Sequence, residues 1–64
     1  MGKQWVGPRG WDVELILLDG RPKLRARQYG VLSDYCSTII ELERLLLRAG
    51  LTVADLVEVL PRSR

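Results

Sequence analysis

The 64-residue chain contains no histidine, no phenylalanine and no asparagine, and its single cysteine is Cys36. A lone cysteine excludes an internal disulfide, and without histidine the ordinary zinc-ligand spacings cannot be assembled. No apolar run approaches the roughly 18 residues of a membrane span, and the N-terminus lacks the apolar stretch of a signal peptide. A reduced thiol without an export signal makes the cytoplasm the expected location. Catalytic groups are equally scarce. There is no glycine-rich phosphate loop, and no Ser or Cys stands at recognisable spacing from a base. Asp12 and Glu14 are two residues apart, but arginines are their cross-strand partners in the register derived below, an ion-pairing role rather than an acid–base one. Cys36 reads as a small, half-buried apolar residue, since nothing near it in sequence would activate a thiolate. The expectation is a protein without enzymatic activity, metal or cofactor.

Size sets the next constraint. A chain of this length buries only about 60% of the surface its unfolded form exposes. With disulfides and metals excluded, reinforcement is expected from self-association or from docking on a larger partner, and an apolar share of 47% leaves room for either. The formal net charge is only +2, small for a dedicated nucleic-acid binder, so the placement of the charges matters more than their total. Arg outnumbers Lys eight to two, a codon preference of GC-rich bacterial genomes.

Residues 1–10, "MGKQWVGPRG", show no periodicity and read as a flexible N-terminal arm. A single domain is expected over residues 11–61, with residues 62–64 as a charged tail. Asp19-Gly20, between "WDVELILL" and "RPKLRARQ", is a strong hairpin signal for a type I′ turn. Closing it places Leu18 opposite Arg21, Leu15 opposite Leu24, Glu14 opposite Arg25 and Asp12 opposite Arg27. One face then gathers Trp11, Val13, Leu15, Leu17, Leu24 and Ala26. The other pairs carboxylates with arginines, and a one-residue slip would destroy both. Tyr29-Gly30 suggests a further turn into a third strand, "VLSDYC". There Asp34 would lie beside Arg25, with Val31, Ser33 and Tyr35 on the core face.

In "STIIELERLLLRAG" Thr38 and Glu41 form a capping box and Gly50 occupies the C-terminal left-handed position, so a helix is predicted. Its apolar surface is wider than one packed face needs, since Ile40, Leu45 and Leu47 flank Ile39, Leu42 and Leu46. In "LTVADLVEVLP", Thr52 with Asp55 and the stop at Pro61 predict a second helix, with Val53, Leu56, Val57 and Leu60 inward. The expected fold is therefore α+β, a β-hairpin or three-stranded meander followed by two α-helices, with Trp11, Leu15, Leu17, Leu42 and Leu46 in its core. The two helices also imitate a helix-turn-helix. Leu46 stands where that motif needs a small residue, and the would-be reading helix offers Asp55 and Glu58 instead of basic or amide side chains.

The succession "LDGRPKLRARQYG", "STIIELERLL" and "LTVADLVEVL" resembles a group of very short, largely uncharacterised actinobacterial proteins, some from mobile elements, in which a hairpin precedes a helix. The resemblance spans most of residues 11–60. It implies architecture and carries over no functional residue.

Two functional expectations remain. The first is a small non-enzymatic interaction module, homodimeric or docked on a larger bacterial protein in a regulatory or adaptor role, with Ile16, Leu18, Leu32 and Leu45 as its contact surface. Exposed contiguous apolar patches on small domains mark such surfaces. The alternative is a nucleic-acid-binding accessory protein or transcriptional regulator, in which Lys3, Trp5 and Arg9 of the arm and Lys23, Arg25 and Arg27 of the hairpin contact phosphates.

Overall fold

The chain reverses at intervals of ten residues in the computed structural model, which describes residues 3–59. Arg9-Gly10, Asp19-Gly20 and Tyr29-Gly30 each hold both residues at positive φ, between 52° and 80°. Paired left-handed residues at a tight loop match the right-handed twist of antiparallel strands. These reversals separate β1 (Gln4–Val6), β2 (Trp11–Leu18), β3 (Arg21–Gln28) and β4 (Val31–Cys36). Helix α1 (Ile39–Arg48), a 3₁₀ turn at Val53–Asp55 and β5 (Val57–Val59) follow. The result is one five-stranded antiparallel sheet in the order β4-β3-β2-β1-β5.

This architecture corrects the expectation of a hairpin or meander followed by two helices. Thr52 does start a turn, its N–H donating to the Asp55 carboxylate at 2.9 Å. After one 3₁₀ turn, however, Leu56 is extended and Val57–Val59 pairs with β1. A capping box marks where a helix begins and says nothing of its length. A segment of about ten residues is too short to be helical alone, β-branched Val53, Val57 and Val59 favour strand, and the free edge of β1 supplies hydrogen-bond partners.

The first ten residues correct a second expectation. Trp5 pairs with Val13 on one side and Glu58 on the other, so Gln4–Val6, within the stretch read as an arm, is an interior strand, and residues 1–2 lie outside the described residues. Residues 62–64, together with Leu60 and Pro61, lie outside the described residues.

The β2–β3 register is the one derived from the Asp19-Gly20 turn, from Leu18↔Arg21 through Asp12↔Arg27. In β4 an irregularity between Ala26 and Arg27 leaves Ser33 as the extra residue. Asp34 consequently faces Ala26 rather than Arg25, and Cys36 rather than Tyr35 reaches the core face opposite Leu24. A bulge shifts every later residue to the opposite face, so Tyr35 turns away from the core, while Val31 keeps its expected partner Gln28 and is nonetheless exposed, as is Ser33.

The core joins Trp11 and Val13 of β2, Leu24 and Ala26 of β3, Cys36 of β4, Leu42 and Leu46 of α1, and Leu51. Helix α1 starts as its sequence dictates. Thr38 Oγ1 accepts from the Glu41 N–H, and the Glu41 carboxylate takes the Ser37 N–H. It ends in a Schellman motif, with Leu51 N–H donating to Leu46 O and Gly50 N–H to Leu47 O. Leu17, expected in the core, is 73% exposed. It sits at the turn end of the hairpin opposite Pro22, away from the core cluster under α1. The indole N–H of Trp11 is buried with no acceptor among the described residues, an arrangement that costs about 1–3 kcal/mol.

Candidate binding groove

Helix α1 covers only part of the core face of the sheet. Along its flank runs a cleft of about 260 Å³ floored by Trp5 and Leu24 and walled by Ile39, Leu42, Val53 and Leu56. At the N-terminal end of α1 it widens into a recess of about 450 Å³, which shares Trp5, Leu24 and Ile39 and adds Lys3, Leu15, Pro22 and Lys23. Past Val53 it continues to a hollow of about 240 Å³ beside Glu43, Leu47 and Thr52. The first two share Trp5, Leu24 and Ile39 and the third adjoins at Val53, so the groove beside α1 is a row of three adjoining recesses, mostly apolar, with Lys3 and Lys23 at one end and Glu43 at the other.

The fold produces it for identifiable reasons. Pairing of β1 with β2 puts Trp5 on the core face beside Val13. The 3₁₀ turn after Leu51 swings Val53 and Leu56 against the core rim without sealing the space to α1. On α1, Ile39, Ile40 and Leu47 stand 54%, 61% and 62% exposed on the flank that borders the groove. Lys23 Nζ donates to Ser37 Oγ, which holds the lysine at the groove mouth and leaves it two further donors.

Compared with known proteins, the chain matches no family model, no curated protein and no solved structure.

The four residues expected to form a contact surface do not converge. Ile16, Leu18 and Leu32 lie on the sheet face opposite α1, whereas Leu45 is on α1 and packs against the core. Leu32 shares a cross-strand row with Arg27 and Asp12, and Leu18 is six residues further along β2, roughly 20 Å away.

The six residues of the nucleic-acid alternative are divided between the two faces. Lys3 and Trp5 line the groove from the core face, whereas Lys23, opposite Ile16 on the other face, reaches the groove mouth only through the bond of its Nζ to Ser37 Oγ. Arg9 spends its guanidinium on the C-terminus of α1, donating to Ala49 O at 3.3 Å. Arg25 and Arg27 lie on the opposite face, ion-paired with Glu14 and, at 3.0 Å, with Asp12. Arg25 and Arg27 are thus the cationic half of a cross-strand pattern, while Arg21 and Lys23 stand opposite Leu18 and Ile16. A double-mutant cycle of Arg25→Gln and Glu14→Gln, read by urea denaturation, is expected to give a coupling of about 0.2–1 kcal/mol. A coupling of zero would detach the pair from the stability of the hairpin.

The Cys36 thiol is buried between sheet and helix. Desolvation raises its pKa above the ordinary 9.0, and Asp34 and Glu41 add to the effect. The folded chain therefore holds this proton more tightly than the unfolded one. That contribution to stability is intact below pH 9.0 and is lost as the pH rises past it. Among the described residues no group of three or more His, Cys, Asp or Glu converges on a point, and no helix is long and apolar enough to cross a membrane.

Sequence reasoning missed Ile39, Glu43, Leu47, Val53 and Leu56 as members of one surface. The over-wide apolar arc of the helix was the available signal. Locating the surface required knowing that Trp5 is in the sheet and that residues 57–59 form a strand.

Proposed function

We propose that the chain is a small non-enzymatic interaction module whose groove beside α1 receives an apolar segment of a polypeptide partner. The observation that carries this reading is the row of adjoining apolar recesses beside α1, from Pro22 past Trp5 to Leu47, that the described residues leave open. Small-molecule sites usually bury most of their ligand in a concavity. This groove lies open along its side, a shape suited to a row of side chains presented by another chain. Contiguous apolar surface of this kind on a small domain is a partner surface by default. The location that fits a reduced, buried lone thiol is the cytoplasm.

The test uses an apolar anionic dye, anilinonaphthalene sulfonate, as a stand-in occupant at dilute protein. Saturable, blue-shifted fluorescence is expected. Ile39→Glu and Leu47→Glu should each weaken binding about tenfold, with near-UV circular dichroism unchanged. Fluorescence that is absent, or that survives both substitutions in folded protein, overturns the assignment of the groove.

A further inference from the structure

We infer that the occupant of the groove is the α1 flank of a second copy of this chain, in a twofold-symmetric dimer whose axis passes near Ile40. The inference rests on reading the groove as a polypeptide-binding surface, and it names the partner.

The chain itself presents the segment that the groove's chemistry asks for. Ile40 and Leu47 stand out from α1 with Glu43 between them in sequence, an apolar flank interrupted by one acid. The groove has the complementary pattern, an apolar floor with Lys3 and Lys23 at the end by the α1 N-terminus. Twofold symmetry requires every contact to be made twice, residue i to j and j to i. The groove residues Ile39 and Glu43 are four apart on α1, roughly 6 Å along its axis. An antiparallel α1 pair centred near Ile40 therefore brings Glu43 of each copy toward the Lys23 end of the other. The same placement carries Leu47, roughly 10 Å from the axis, beyond the partner's helix start. There the wide recess lined by Trp5, Leu15 and Pro22 can admit a leucine side chain. Ile40 then meets its own symmetry mate.

Stability points the same way. A stable dimer buries about 800 Å² per partner, about a sixth of this chain's 4767 Å². Covering Ile39, Ile40 and Leu47 would give a domain without disulfide or metal the reinforcement that its size demands. Glu43 and Lys23 also define the orientation, since a parallel arrangement would set lysine against lysine.

The decisive experiment combines sedimentation equilibrium with exchange of the two charges. The full chain is expected to move from 7.3 kDa toward twice that mass as its concentration rises from micromolar to millimolar. Lys23→Glu and Glu43→Lys should each weaken the dimer about tenfold, and the double variant should recover most of the loss. In parallel, Ile40→Cys should oxidise to a covalent dimer, because a residue on a twofold axis meets itself, whereas Arg48→Cys on the far flank should not. A monomer at every concentration that still binds the dye in its groove overturns the second copy as occupant while leaving the groove intact. A dimer indifferent to both charge exchanges and to the position of the cysteine overturns the geometry. If removal of residues 60–64 converts a monomer into a dye-binding or dimeric species, the occupant is the chain's own C-terminus and the inference fails.

Discussion

Leu46→Ala is expected to lower stability by about 3–4 kcal/mol. Leu46 is fully buried at the centre of the cluster that joins α1 to β2, β3 and β4. Its removal forfeits the transfer energy of the side chain and leaves a cavity that the surrounding elements cannot close, and buried Leu→Ala changes cost about 2.7–5 kcal/mol. Domains hold about 0.05–0.15 kcal/mol per residue, so a 64-residue chain commands about 3–10 kcal/mol in total. The substitution would therefore consume much or all of the stability. Leu46 also anchors the end of the helix, because its carbonyl receives both the Ala49 and the Leu51 N–H. A backbone acceptor survives the substitution, so the loss should be one of packing, with the Schellman geometry retained in whatever fraction remains folded. The control lies one residue along. Leu47→Ala touches a side chain that is 62% exposed and should change monomer stability by less than about 0.5 kcal/mol. Urea denaturation at a fixed, dilute protein concentration separates the two, because self-association would otherwise add to the apparent stability. Equal effects at the two positions would place the core elsewhere than beneath Leu42 and Leu46.

How much of this could be read beforehand depends on how local each signal is. The β2–β3 hairpin was legible to the residue because Asp19-Gly20 specifies a turn and the alternation of WDVELILL against RPKLRARQ specifies a register. Helix α1 was legible at both ends, since Thr38, Glu41 and Gly50 act within one turn of themselves. The rest depends on partners distant in sequence. "QWV" becomes a strand only because β2 and β5 flank it, and "VEV" only because β1 offers an edge. The Ser33 irregularity has no sequence mark that we recognise, yet it decides whether Tyr35 or Cys36 enters the core. One non-local signal is nevertheless written in the sequence. Xaa-Gly pairs at 9-10, 19-20 and 29-30 recur every ten residues, each a left-handed reversal, and that rhythm would have carried the sheet back to residue 4. The same omission concealed the candidate groove, because its floor is Trp5.

Gly10→Ala is expected to be the most damaging glycine substitution, costing about 2–4 kcal/mol and releasing β1 from the sheet. Two effects combine there. Gly10 sits at φ +77, where an L side chain costs about 1–2 kcal/mol. A Cβ at this position would also overlap the Tyr29 ring. At Gly20 and Gly30 nothing lies within 4 Å of an added Cβ, so alanine there should cost the backbone strain alone. The Gly10 carbonyl accepts the Tyr29 N–H at 2.8 Å, so strain in the Gly10 backbone acts directly on the link that ties the β1–β2 turn to the end of β3. Loosening that turn frees Trp5, and with it the edge on which β5 is built. Amide exchange should therefore accelerate in β1 and β5 before it does in β3. Tyr29 provides the internal check. In the double variant Gly10→Ala/Tyr29→Ala the overlap is gone, so the combined cost should fall short of the sum by about 1 kcal/mol or more. Strict additivity would leave only the φ penalty and assign the ring no steric role. An unaltered Gly10→Ala protein would mean that the left-handed turn does not form, and residues 1–10 would then be the arm that their lack of periodicity suggested.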